Sequence, residues 1–231
     1  MIDPMRALVT GFEPFAGDEV NPAGEVLPRL PPFLGEVAVA TRLLPTVFGH
    51  SLVRLETAVD ETAPDLVLCL GLAGGRSELS LERVAINVND ARIPDNAGQQ
   101  PIDTRIAAEG PAAYFATLPI KAAAAALRQA GLPAAISNTA GTFVCNHIFY
   151  GLMHLTARRG LRLRAGFMHL PYLPAQAAQW PGTPSMALAD IVRGVEIVLE
   201  TAAKQQEDIF AAEGVVAQRL PSAPIAPSRQ Q

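Results

Sequence analysis

Residues 65–72 read DLVLCLGL, and a Gly-containing loop, GLAGGR at 71–76, leads away from them. Past the aspartate the run is apolar throughout, which predicts a central strand covered on both faces, as in a sheet flanked by crossover helices. Upstream, residues 6–10 predict a strand. A loop follows, then a helix that Asn21 caps with Pro22 in its first turn. Residues 37–44 predict the next strand, and 51–61 a helix with Leu52, Leu55, Ala58 and Val59 on one face, ended by Pro64. Downstream, an alanine-rich helix at 119–130 is stopped by Gly131 and Pro133 and followed by a strand at 134–139. A helix at 143–159, a strand at 163–170 and a helix at 185–206 complete the series. The polar stretch 79–106 lacks helical periodicity but carries strand-like pieces, clearest at 81–88; a long ordered stretch of this kind is usually functional. The alternation predicts an α/β fold: a single-domain αβα sandwich with a mostly parallel, twisted central sheet and crossover helices on both faces. That domain spans 1–213, and 214–231, with prolines at 221, 224 and 227, reads as an extended or flexible tail.

The 231 residues include 18 Lys+Arg, 22 Asp+Glu and only two cysteines, for a formal charge of −4. A disulfide scaffold needs more cysteine, and a nucleic-acid binder a basic excess, so neither class fits. The one basic cluster, RRGLRLR at 158–164, suits a solvated helix end, where cations favour the dipole. Apolar stretches are broken well short of the roughly 20 residues that span a bilayer, and no export signal is visible, so cytoplasmic residence with reduced thiols and no membrane partner is expected. There is no CxxC or HExxH, and no metal or cofactor is expected.

The two thiols read differently. Cys69 lies inside the apolar strand and reads as a core side chain. Cys145, in SNTAGTFVCNH at 137–147, falls in the first turn of a helix just beyond a strand's carboxyl end. Unpaired N–H groups and the dipole there favour a thiolate, and α/β sheets place their sites at such ends. Alkylation of Cys145 is therefore expected to persist below the pH of a free thiol. Of the four histidines, His147 points to another face of the same helix and His154 lies roughly 13 Å along it. His169 ends the strand after the Cys145 helix. A βαβ crossover would set its carboxyl end beside that of the preceding strand, making it the best base. Glu82 and Asp90 are both candidates to orient the imidazole, and spacing does not choose between them. GLAGGR and TGFEPFAG (10–17) suggest a phosphate site weakly, since neither matches a phosphate-loop pattern and Glu13 would repel the anion.

Five collinear segments carry a resemblance: TGFEPFAG at 10–17 with NPA at 21–23, ERVAINVNDARIPDN at 82–96, GPAAYFATLPIK at 110–121, TAGTFVCN at 139–146 and HLPYLPAQ at 169–176. Together they resemble the pyroglutamyl peptidase I (pyrrolidone carboxyl peptidase) family over nearly the whole chain up to the tail. The resemblance implies a cytosolic cysteine exopeptidase that removes N-terminal 5-oxoproline from peptides, commonly as a homo-tetramer. It implies Cys145 as nucleophile, His169 as base and Glu82, rather than Asp90, as the orienter. It also implies Phe12, Phe15, Leu72, Phe143 and Val144 around the substrate ring, and places Arg92 in a signature segment as possible support. Leu72 stands where the family usually has glutamine, Ala16 where it has glycine and Ala23 where it has serine. The Leu72 departure suggests as an alternative a thiol amidase of altered acyl preference; the glycine loops suggest a nucleotide or phosphometabolite binder.

Overall fold

The computed structural model describes residues 4–213, so the expected tail lies outside the described residues. The chain runs β1 (Met5–Phe12), α1 (Pro22–Val26), β2 (Phe33–Leu34), β3 (Val37–Leu44), α2 (His50–Thr62), β4 (Leu66–Leu72), β5 (Leu79–Glu82), β6 (Val84–Ile86), β7 (Ala113–Phe115), α3 (Ile120–Gln129), β8 (Ala134–Ser137), α4 (Val144–Arg159), β9 (Arg164–Leu170), α5 (Pro174–Ala177) and α6 (Leu188–Lys204). Seven strands form one sheet in the order β2-β3-β1-β4-β9-β5-β8. The apolar run read as a central strand is β4, in the middle of that order.

Strand alternation divides the core. Leu66, Leu68 and Leu70 of β4 pack with α1, α3 and α6 on one face, while Val67 and Cys69 pack with α2 and α4 on the other. Asn21 caps α1 as its sequence predicts, its side chain accepting from Ala23 N–H at 3.1 Å. Within the basic segment 158–164, Arg159 reaches Asp60 and Glu56 on α2, and Arg164 donates to the Gln205 carbonyl.

Three expectations change. The strand-like piece at 81–88 is broken at Arg83: β5 joins the main sheet, while β6 turns away to pair with β7. The last helix begins at Leu188, not at 185. Most consequential, the strands before and after α4 are not parallel neighbours. β5 lies between them, parallel to β8 and antiparallel to β9. Ser137 aligns with Glu82 and Glu82 with Phe167, so β8 ends part-way along β9. The crossover assumed for choosing His169 is absent, and a strand from the polar stretch supplies the neighbour instead.

The remainder of that stretch is held against α4 by the two residues after Cys145. Asn146, fully buried, accepts from Ile86 N–H at 3.0 Å and donates to the carbonyls of Ile86 and Val88. His147 bonds Asn89 Oδ1 through Nδ1 at 2.9 Å and accepts from Gly49 N–H at Nε2, 3.0 Å away. One imidazole thus joins α4, the entrance of α2 and the polar stretch. Accepting at Nε2 requires that nitrogen to be unprotonated.

Burial pushes His147 from 6.5 down to about 4. Its folded value lies below its unfolded one, so between those values the unfolded chain binds more protons, and stability present above pH 6.5 is lost as pH falls towards 4. Urea unfolding is expected to show about 3 kcal/mol lost from this residue by pH 4. His147→Gln should reduce the pH slope by close to one proton; an unchanged slope would contradict the assignment.

Candidate active site

The site forms where the carboxyl ends of β1, β3, β4 and β9 meet the start of α4. Partners across a ladder turn their side chains to the same face of the sheet. Gly71 on β4 aligns with His169 on β9, so the space that a side chain at Gly71 would fill lies on the same face as the imidazole. Cys145 Sγ occupies it, 2.8 Å from where a Cβ on Gly71 would stand. Only glycine leaves room for the sulfur beside the histidine strand.

Glu82 arrives from the other side. It aligns with Phe167, two residues before His169 on the same face, and such diagonal neighbours are within reach of long side chains. His169 Nδ1 and Glu82 Oε1 are 2.7 Å apart, with both residues buried. With Nδ1 engaged, Nε2 is the ring nitrogen left for chemistry. The other candidate orienter, Asp90, is exposed, and its backbone exchanges bonds with Thr142 just before α4. α4 carries no side-chain cap, so its first N–H groups are free to serve as anion donors.

The five residues expected around the substrate ring, Phe12, Phe15, Leu72, Phe143 and Val144, line one small cavity together with Cys145. The Phe143 ring is held between Phe15, with centroids 6.0 Å apart, and the edge of Phe48 at 5.3 Å. Asn21 and Thr46 also line it, both buried, and both donate to the Glu13 carbonyl. Sequence reasoning identified neither as a wall residue. The signature segment braces the same loops: Asp95 accepts from Phe48 N–H, and Asn96 bonds the carbonyls of Pro14 and Thr46. Ala16 keeps a left-handed backbone, φ 57°, which explains why glycine suits the position and costs alanine about 1 kcal/mol.

Two residues differ from their sequence reading. Arg92 is exposed, and among the described residues its side chain makes no hydrogen bond or ion pair. Arg76, at the end of GLAGGR, instead reaches Glu82, Nη1 to Oε1 at 2.8 Å, and donates to the Thr139 carbonyl. That loop closes on itself through Arg76 N–H to the Ala73 carbonyl, and its one cation is directed at the carboxylate. Among the described residues no group of three His, Cys, Asp or Glu side chains is placed to hold a metal ion.

Protonation departs from the helix-terminus expectation. Burial, then the Glu82 carboxylate, push the Cys145 thiol up to about 12, with Arg76 opposing. Although Cys145 as a residue is part-exposed, its sulfur is enclosed against Gly71 and Phe167. His169 is pushed below its ordinary value by burial, against the pull of Glu82. Both shifts favour a neutral thiol and a neutral imidazole. Cys69 is enclosed in the core and raised to about 12 by burial, as a structural thiol should be.

Comparison with known proteins identifies the family to which this fold belongs. The family described as "Pyroglutamyl peptidase" matches residues 5–205. A pyrrolidone-carboxylate peptidase of Ralstonia nicotianae is 57% identical over 208 residues, covering 90% of this chain and 97% of that one. Another, from Brevibacillus brevis, is 55% identical over 203 residues, covering 87% and 94%. The crystal structure of pyroglutamyl peptidase I from Bacillus amyloliquefaciens superposes with a TM-score of 0.88 at 45% identity, covering 90% of this chain and all of that one. By sequence and by fold, the chain belongs to the pyroglutamyl peptidase family.

Proposed function

We propose that the protein is a cysteine exopeptidase that removes an N-terminal pyroglutamyl residue from peptides, with Cys145 as nucleophile, His169 as general base and acid, and Glu82 as orienter of the imidazole. The observation that carries this reading is the buried His169–Glu82 hydrogen bond, 2.7 Å long, beside a thiol seated in the notch at Gly71. Each atom then has a task. As Sγ attacks the carbonyl carbon of the pyroglutamyl residue, its proton passes to His169 Nε2. The carbonyl oxygen becomes an oxyanion beside the free N–H groups at the start of α4, where one donor is commonly worth about 3 kcal/mol. Collapse breaks the C–N bond, and the Nε2 proton leaves on the departing amine. Water, deprotonated by the same nitrogen, then opens the thioester and returns the thiol.

The cavity suits a small uncharged ring. Its walls are largely apolar, and its two polar side chains, Asn21 and Thr46, are already bonded to the Glu13 carbonyl. Among the described residues no carboxylate lines it to hold a free amine. Leu72 offers no hydrogen bond to a lactam, and this favours the weaker alternative of an altered acyl preference. A clear preference for pyroglutamyl over prolyl and glutaminyl amides would remove that alternative. Among the described residues no helix is long and apolar enough to cross a membrane. Assembly into homo-oligomers belongs to the same proposal, with exposed Phe33, Ile102 and Phe115 as apolar contacts.

Hydrolysis of a fluorogenic pyroglutamyl amide is expected to be lost on iodoacetamide treatment and in Cys145→Ser; turnover surviving either would contradict the mechanism. With His169 depressed by burial, the acid limb of kcat/KM should lie below about pH 6.5. A limb above that value would mean that another group controls proton transfer. Leu72→Gln is expected to lower KM about five-fold, the equivalent of one hydrogen bond of about 1 kcal/mol. An unchanged or higher KM would show that the leucine costs the pocket nothing.

A further inference from the structure

Glu82 has no exposed surface, and one of its oxygens, Oε2, has no hydrogen-bond partner among the described residues. All its observed pairing is concentrated on Oε1, which His169 Nδ1 and Arg76 Nη1 share at 2.7 and 2.8 Å. A carboxylate removed from water holds its charge poorly unless a cation stands beside it. His169 is not that cation in the resting site, since it must be neutral to accept the thiol proton. Arg76, part-exposed at the end of the loop after β4 and also tied to the Thr139 carbonyl, is the only cation in contact with Glu82 among the described residues.

We propose that Arg76 is a positioning residue of the reaction: its guanidinium holds the Glu82 carboxylate in place as an acceptor, and through Glu82 keeps the His169 ring in the tautomer that carries its proton on Nδ1. That tautomer leaves the Nε2 lone pair available. A Glu82 side chain turned away from Nδ1 would leave the ring free to take the other tautomer. The ring hydrogen would then move to Nε2, where the ring cannot accept from sulfur. Charge balance follows the same pattern. Neutral thiol and imidazole with Glu82⁻ and Arg76⁺ sum to zero, and so do oxyanion and imidazolium with the same pair, so the reaction coordinate never leaves a net buried charge.

The groups facing His169 are Glu82 on β5, Arg76 after β4, and Cys145 on α4, with Cys69 further down β4. Of these, Glu82 draws a proton towards the imidazole and Arg76 repels one. Removing Arg76 therefore makes the imidazole easier to protonate and the thiol harder to ionise, and both changes move activity to higher pH. The inference rests on the reading of Cys145, His169 and Glu82 as the reacting set, so the test includes a control that separates the two.

Steady-state kinetics on a pyroglutamyl amide across pH should show the acid limb of Arg76→Gln displaced upward by about one pH unit, a loss of about ten-fold in kcat at a fixed pH on that limb, with KM little changed. Arg76→Lys, which keeps the charge, should recover most of the displacement. In a Glu82→Gln background, Arg76→Gln should add clearly less loss than it does in the wild-type chain, because the guanidinium has no carboxylate to hold and only its direct repulsion of the imidazolium is left. If Arg76→Gln does not fold, Arg76→Met, which keeps the stem and removes the charge, takes its place: a limb displaced upward supports the inference and a limb at the wild-type position overturns it. Superimposable limbs in wild type and Arg76→Gln, or additive losses in the double variant, would also overturn it. Loss of activity in Cys145→Ser under the same conditions would leave the reading of the triad standing in that case.

Discussion

One oxygen of Glu82 serves two partners inside the sheet, and water does not reach it. The imidazole of His169 and the guanidinium of Arg76 both depend on that carboxylate, and it reaches them because β5 runs against β9. In an all-parallel arrangement the strand next to β9 would come in by a crossover. Here a four-residue strand, leaving a glycine loop after β4, enters in the opposite sense and sets Glu82 diagonally from His169. The inversion costs the regularity of the sheet and places an acid where a parallel strand's carboxyl end would not. Gly71 provides the corresponding vacancy on the other side of β9. Imidazole, carboxylate and thiol thus occupy one face of three adjacent strands, the face on which α4 packs.

The helix that carries Cys145 is fixed in depth by its own next two residues. Asn146 and His147 spend their side chains on the backbone and side chains of the polar stretch, which in turn braces the loops around the substrate cavity through Asp95 and Asn96. Positioning of the thiol and shaping of the cavity are therefore one hydrogen-bonded system. The burial that encloses it also sets the protonation states. Desolvation outweighs the helix terminus at Cys145 and the carboxylate at His169, and it favours the neutral form of both groups.

Much of this was legible in the chain. The apolar run at 65–72 specifies a doubly covered strand, and position sets Cys69, inside that run, apart from Cys145, in the first turn of a helix. His169 was reached by a crossover rule that does not hold here, since β8 is neither beside β9 nor parallel to it. Glu82 was preferred to Asp90 only through resemblance, because the diagonal that selects it depends on a strand direction that short polar sequence does not encode. Arg76 was read as part of a glycine loop, and its contact with a residue six positions away requires knowing that the loop doubles back to start an inverted strand. Helix geometry turns His147 away from Cys145, but its use as a neutral link between three segments is a long-range contact that helix geometry does not reveal. Asn21 was recognised as a cap and is also a wall of the cavity, a second role that local sequence does not show.

The central claim, that Cys145 forms an acyl-enzyme with pyroglutamate, is tested most directly by acid-quenching the protein during turnover of an activated pyroglutamyl ester and mapping its peptides by mass spectrometry. The account predicts one added pyroglutamyl group on the peptide that contains Cys145, released by hydroxylamine and absent from Cys145→Ser. An adduct on any other residue, or undiminished turnover with Cys145 unmodified throughout, would contradict it.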